Sequence, residues 1–286
     1  MSQSKDQQKP VAQPNEAVKQ GRDIARVAIV TGAGRGLGRA MARGLALAGV
    51  RVLATAARER AELDALLAEC PPGMIVPMLA DVTREADSQR VVAHALQRFG
   101  RLDILINNAG RGMKYVNERF LTEPTPFWQV APDTWRMLID TNVNGPFLMA
   151  RAATPHLIRA GWGRIINISM NHATMRREGF SPYGPSKAAL ESETCIWAQD
   201  LYGSGVTVNA LLPGGATRTG MIPAAALPAL QDRLLDPQVM VPPLLWLISH
   251  EADSLSGARL NASRWDPDHP HAALEPAGWA AAALGP

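Results

Sequence analysis

The chain has 286 residues, 47% of them hydrophobic and 19% charged, with a formal net charge of +3; that length buries one large core without requiring a second domain. No apolar run is long enough for a signal peptide or a membrane span, and the positive charges are scattered rather than clustered, which argues against membrane insertion and nucleic-acid binding. Cys70 and Cys195 lie far apart with no CxxC or Cys/His grouping, so neither a disulfide framework nor a metal site is indicated, and a soluble cytoplasmic protein is expected.

Residues 1–24 are rich in Gln, Lys and Pro and lack periodicity, the composition of a disordered extension. From residue 25 short β-branched runs alternate with segments of helical period. Strands are expected at 27–31, 50–55, 74–80, 102–107, 163–169 and 206–212, with a short edge strand at 258–262. Helices are expected between them, at 37–48, 59–69, 85–99, 133–159, 182–202 and 239–250. This is the α/β rhythm of a single doubly wound, Rossmann-type domain over 25–263, with a parallel six- or seven-stranded sheet flanked by helices. The Ala- and Pro-rich stretch 264–286 reads as a loose C-terminal tail.

The segment Thr31-Gly32-Ala33-Gly34-Arg35-Gly36-Leu37-Gly38 follows the first strand and opens the first helix. Glycines at 32, 36 and 38 permit a tight turn and close backbone approach to a pyrophosphate, whose charge the helix N-terminus favours. A dinucleotide is the cofactor this context calls for. After the second strand, where a carboxylate would take both ribose hydroxyls, stand Ala56, Ala57 and Arg58. With Arg35 and Arg58 available for a 2′-phosphate, NADP(H) is favoured over NAD(H).

Several segments in order resemble the classical short-chain dehydrogenase/reductase family. They are TGAGRGLG at 31–38, Asp81-Val82, NNAG at 107–110, Asn142 in IDTNVNG, Ser169 after GRIINI, YGPSK at 183–187 and VNALLPGG at 208–215. By that resemblance Asp81 and Val82 meet the adenine, Asn108, Ala109 and Gly110 support the middle of the cofactor, and Pro213 and Gly214 lie beside the nicotinamide. Lys187 binds the nicotinamide ribose, Asn142 holds a water in a proton relay, and the protein assembles as a homodimer or homotetramer.

Interconversion of an alcohol and a carbonyl by hydride transfer requires a proton to be delivered or removed at oxygen. Tyr183 suits that role, and Lys187, four residues on and on the same helix face, suits the task of lowering the phenol's pKa. Arginine outnumbers lysine 24 to 5, so a lysine kept at 187 hints that a compact ammonium is needed there. The carbonyl-polarising hydroxyl of the family is ambiguous: Ser169 precedes Tyr183 by 14 positions and Met170 by 13, and the family's usual spacing lands on Met170. Ser169 serves if the intervening loop carries one extra residue; otherwise a thioether that cannot donate takes its place.

Two stretches interrupt the rhythm, 111–132 and 214–237, and both are candidate substrate-covering loops. Tyr115, Phe120, Phe127 and Trp128 with Lys114, Glu118 and Arg119 either line a pocket or pack the loop on itself; Met221, Ile222 and Leu227 form either a lid or the packing of a short helix. The expected function is NAD(P)(H)-dependent oxidation of a small-molecule alcohol or reduction of a carbonyl, with Tyr183, Lys187, Asn142 and Ser169 as the catalytic set. The alternatives are a catalytically impaired cofactor-binding sensor or scaffold of the same fold, and a basic interaction protein that uses its N-terminal tail.

Overall fold

The computed structural model describes residues 25–223 and 227–276. Its strands are β1 (Val27–Val30), β2 (Arg51–Ala56), β3 (Ile75–Leu79), β4 (Ile104–Asn107), β5 (Gly163–Ile168), β6 (Val206–Leu212), β7 (Arg259–Asn261) and β8 (Leu274–Glu275). The helices are α1 (Gly36–Leu47), α2 (Arg60–Ala68), α3 (Glu85–Phe99), α4 (Pro132–Ile139), α5 (Gly145–Ala160), α6 (His172–Met175), α7 (Tyr183–Asp200), α8 (Leu227–Leu230) and α9 (Val241–Leu247). All eight strands among the described residues share one sheet in the order β3-β2-β1-β4-β5-β6-β7-β8, parallel except for the last pairing.

The central strands β1, β4, β5 and β6 are buried at every position, which explains why they read as unbroken apolar runs rather than alternating ones. Alternate residues still serve opposite faces. Ala28, Val30, Ile104 and Ile106 pack with Met41 and Leu45 of α1, Leu63 of α2 and Leu244 of α9. Ile29, Leu105, Ile165 and Val208 pack with Val91 of α3 and Met149 and Leu157 of α5 on the other side. The result is a single Rossmann-like domain, helices on both faces. Strand order reverses between β1 and β4, and the carboxyl ends of those two strands frame the crevice where such sheets bind ligands.

Three expectations change. The helix expected at 133–159 is α4 and α5 joined by a π-helical turn, Asp140–Asn144, which contains Asn142. The sheet has eight strands rather than six or seven, because β8 lies in the stretch expected as a loose tail and pairs antiparallel with β7. Only two residues long, it is held by side chains of its neighbour: Arg259 Nη1 and Asn261 Nδ2 both donate to the Glu275 carboxylate. The tail packs further inward through Trp265, whose ring centroid is 5.6 Å from that of Trp246. The N-terminal extension 1–24 and residues 277–286 lie outside the described residues, as do 224–226 in the second of the interrupting loops.

Candidate active site

At the switch point a cleft of about 570 Å³ opens over the sheet. Its floor is the turn between β1 and α1. Gly32 and Gly36 have φ of +63° and +57°, in the left-handed region that glycine adopts without strain. A side chain at Gly38 would place its Cβ 2.2 Å from the Gly32 carbonyl oxygen, so the turn closes only on glycine. Asn108, at the end of β4, braces it: Nδ2 donates to the carbonyls of Thr31 at 2.8 Å and Gly32 at 3.0 Å. In return the Thr31 hydroxyl accepts from the Asn108 and Ala109 amides, both at 3.0 Å. Helix α1 starts without a side-chain cap and without an acidic residue in its first turn. Its positive end and unpaired amides thus face the cleft, an arrangement suited to a phosphate.

Farther along, the cleft runs past Arg35, Leu37, Ala56, Arg58, Asp81 and Val82. Asp81 commits one carboxylate oxygen, Oδ1, to Thr83, accepting from its amide at 3.0 Å and its hydroxyl at 2.8 Å. Its other oxygen is left for a donor such as an adenine amino group. Sequence reasoning missed Glu62, on α2, whose carboxylate lies 3.5 Å from Arg35 Nη1 and packs against Gly34. An acid at this end opposes the two arginines, and only the folding of α2 over the turn brings it there.

The other wall carries Tyr183 and Lys187, one helical turn apart at the start of α7. Lys187 is buried and its Nζ donates to the Ile168 carbonyl at 2.7 Å. Burial pulls its ammonium down to about 8, against the opposing influence of the Glu191 carboxylate. Burial likewise pushes the Tyr183 phenol up to about 12, so the hydroxyl holds its proton at neutral pH. The expected lowering of the phenol by Lys187 is not what dominates here; desolvation is. Tyr183 Oη faces the Met221 thioether at 4.0 Å.

Asn142 is fully buried behind this pair. The π turn swings it toward α7, where Nδ2 donates to the Ser186 hydroxyl at 2.9 Å and to the Arg111 carbonyl at 2.9 Å, while Oδ1 accepts from the Arg111 amide at 2.8 Å. Such turns are frequent at functional sites because they reorient one residue within a helix. Both donors of the amide are thereby spent; a remaining lone pair and the main-chain carbonyl are what Asn142 can offer to a water.

Ser169 lines the cleft, yet its hydroxyl donates to Glu191, one turn beyond Lys187 on α7. That carboxylate also accepts from Arg259 Nε at 2.9 Å and pairs with His172 Nε2 at 3.0 Å, and Arg259 donates in addition to the Met170 carbonyl. Met170 itself joins Met113, Phe120, Met175 and Phe180 in a separate apolar cluster against which Tyr183 packs. The structure therefore brings Tyr183, Lys187 and the Met170 side chain together, and turns Ser169 toward a buried ionic network. Glu191 and Arg259, 68 positions apart, give no local signal of that network in the sequence.

Of the remaining expected residues, Gly110 and Pro213 line the cleft, whereas Gly214 lies behind it, its carbonyl accepting from Asn171 Nδ2 at 2.8 Å. The two interrupting loops meet over the opening, where Lys114 Nζ donates to the Gly220 carbonyl at 2.5 Å. Phe120 turns inward onto Phe180 at a ring separation of 5.8 Å, and Met221 and Ile222 line the cleft. Phe127 and Trp128 instead stack edge-on upon each other at the surface, and Arg119 pairs with Glu123. No described helix is long and apolar enough to cross a membrane.

The geometry agrees with what comparison with known proteins finds. The family model described as short chain dehydrogenase matches residues 26–226. A short chain dehydrogenase of Monascus purpureus is 34% identical over 250 residues, covering 84% of this chain and 81% of its own. Among solved structures, the 3-ketoacyl-(acyl-carrier-protein) reductase of Brucella melitensis complexed with NADH superposes with a TM-score of 0.72 at 29% identity, covering 82% of this chain and 96% of that one. An actinorhodin polyketide ketoreductase variant with NADPH also gives 0.72, at 26% identity and coverages of 83% and 95%. The matched region runs from the glycine turn through Tyr183 and Lys187 to the loop after β6, and the chain accordingly belongs to the short-chain dehydrogenase/reductase family of oxidoreductases.

Proposed function

We propose that this protein interconverts a carbonyl and a secondary alcohol, using NADP(H) in preference to NAD(H), with Tyr183 as the proton-transferring residue. The observation that carries this reading is the placement of the Tyr183 hydroxyl and the Lys187 ammonium on one wall of the cleft whose floor is the glycine turn. The turn fits a dinucleotide because its backbone is open only where glycine stands and the adjoining helix end lacks an anion of its own. Gly32, Gly36, Leu37 and Gly38 would hold the pyrophosphate, Asp81 and Val82 the adenine, Asn108 to Gly110 the middle of the cofactor, and Pro213 the nicotinamide side, with Gly214 behind it shaping the turn. A bound nicotinamide supplies or accepts the hydride.

Tyr183, protonated at neutral pH, gives its proton to the oxygen that becomes the alcohol and retrieves it in reverse. Lys187 steadies the negative charge that develops there, and Asn142 fixes the junction between the 111–132 loop and α7 that keeps both in place. Ser169 polarises the carbonyl only by releasing Glu191, which leaves Tyr183 as the principal hydroxyl donor. Arg35 and Arg58 favour the 2′-phosphate of NADP(H), and Glu62 tempers that preference. Exposed Trp135, Phe147 and Ile196, on α4, α5 and α7, suit the assembly of this chain as a homo-oligomer, which light scattering would measure.

Fluorescence titration with NADPH and NADH, followed by turnover of a panel of ketones and alcohols by the wild type and Tyr183→Phe, tests the reading. Tight NADPH binding with turnover that Tyr183→Phe abolishes is expected. A second reading, a cofactor-binding sensor without turnover, draws on Met170 and Met221, whose thioethers stand where donors to a substrate oxygen would be useful. Cofactor binding with no turnover of any substrate would favour it.

A further inference from the structure

The end of the cleft beyond Tyr183 combines apolar walls with cations that pair with no described carboxylate. Met113, Phe120, Met170 and Phe180 form one continuous apolar surface beside Tyr183, and Met221 closes it from above. Around that surface stand Arg111 and Arg177, both lining the cleft. Arg111 is half-buried, and both of its main-chain polar groups are held by Asn142, so its side chain leaves from a fixed backbone. Its guanidinium lies 5.4 Å from the Tyr115 ring centroid, and that of Arg177 lies 5.3 Å from the Phe180 ring centroid. Among the described residues neither forms an ion pair with a carboxylate. The acids that line the cleft, Glu59, Glu62 and Asp81, all stand at the opposite end near Arg58; Glu118 and Glu178 are exposed outside it.

Guanidinium groups resting on aromatic faces, with no acidic partner, keep their planar donor forks available for an incoming oxyanion. The positive charge here is separate from the arginines at the adenine end and from the glycine turn, so the cofactor does not account for it.

The geometry points to a substrate with an apolar, ring-bearing body and a carboxylate: the body lies along the methionine and phenylalanine wall with its carbonyl or alcohol carbon at Tyr183, and the carboxylate meets Arg111 and Arg177. This rests on the reaction proposed above. Thioethers suit a flat ring because they adapt their shape and contact aromatic edges favourably, and two cations at the mouth draw an anion in while selecting against neutral compounds of the same shape.

Calorimetric titration of the enzyme–NADP+ complex with acetylnaphthoate and with its methyl ester tests the inference without needing turnover. An apolar pocket alone prefers the ester, the more hydrophobic of the two, so the sign of the preference decides. The acid is expected to bind about tenfold more tightly than the ester, the effect of roughly one charge-assisted hydrogen bond. In Arg111→Gln and in Arg177→Gln that ratio falls toward one; Arg177 is exposed, so its replacement leaves the fold untouched. Ester binding equal to or tighter than acid binding, or a ratio that both variants preserve, overturns the inference. An acid preference that depends on both arginines, with no reduction of either ketone by NADPH, upholds the anion site and breaks the reaction assigned to it.

Discussion

The half of the cleft around the glycine turn is built from backbone, while the half beyond Tyr183 is built from side chains. In the first, Gly32, Gly36 and Gly38 cannot be exchanged without a clash or a strained φ, and Asn108 pins the turn through three hydrogen bonds to backbone or hydroxyl groups of Thr31 and Gly32. In the second, the walls are Met113, Met170 and Met221 with Phe120 and Phe180, carried on loops and short turns. A surface of amides and fixed dihedrals accepts one ligand geometry; a surface of thioethers on unbranched stems accepts many. The contrast explains how one chain can present a recognisable glycine turn beside a substrate pocket that no motif describes. Tyr183 and Lys187 sit on the seam, fixed by α7 on one side and facing movable thioethers on the other.

The sharpest way to break the contrast is to silence the seam alone. Tyr183→Phe should lower kcat by about a thousandfold, within the range for loss of a general acid, while the NADPH dissociation constant read by fluorescence stays within about twofold. If both quantities change together, the two halves are not separable. Next comes the backbone half itself. Gly38→Ala sets a Cβ 2.2 Å from the Gly32 carbonyl oxygen, and the displaced turn should weaken NADPH binding by about a hundredfold; retention of tight binding would mean that the turn is not the phosphate cradle.

On the side-chain half, adaptability predicts gain as well as loss. Met170→Ser supplies a hydroxyl beside Tyr183 and should raise kcat for ketone reduction by about tenfold, a modest fraction of what a well-placed oxyanion donor contributes. Met170→Ala, which loses the same packing without gaining a donor, serves as the control, and equal rates for the two would remove Met170 from the neighbourhood of the carbonyl. A smaller effect is expected at the adenine end, where Arg58→Ala should weaken NADPH about fivefold and leave NADH unchanged in the same titration.

Smallest is the pH response. Burial depresses Lys187 to about 8, so its charged form is lost as pH rises through that value while Tyr183 remains protonated. Reductive kcat/KM should therefore fall to about half its neutral value near that pH, and a rate that stays flat to pH 10 or so would show that the Lys187 charge is not used.

Much of the half around the glycine turn was legible because its determinants are local. Glycine spacing, the strand before it and the helix after it lie within one stretch, and β1, β4, β5 and β6 were found within a residue or two because buried parallel strands write themselves as apolar runs. The half beyond Tyr183 was not legible for the opposite reason. That Ser169 spends its hydroxyl on Glu191, and that Met170 joins Phe120 and Phe180, depend on contacts between segments tens of residues apart. The π turn at Asp140–Asn144 has no compositional mark, since Asp, Thr, Asn and Val read as an indifferent helix; only its register against α7 reveals it. Strand β8 escaped because two residues carry no periodicity, and its place is dictated by side chains from β7.

The network around Arg259 has a practical bearing on where the chain can be shortened. The motif rhythm ends near residue 262, and a truncation just past Arg264 would keep each signature of the family. It would also remove Glu275, one of the two carboxylates that Arg259 holds, while leaving the guanidinium buried against Glu191 and the Met170 carbonyl. Losing one of its two carboxylates leaves the guanidinium compensated by Glu191 alone and costs on the order of 2 kcal/mol, and the loss would fall on the carboxyl end of β5, next to the Met170 wall of the cleft. For expression or fusion, then, a shortened chain should retain Glu275, because β8 acts as a keystone placed after the arch of the described sheet is otherwise complete.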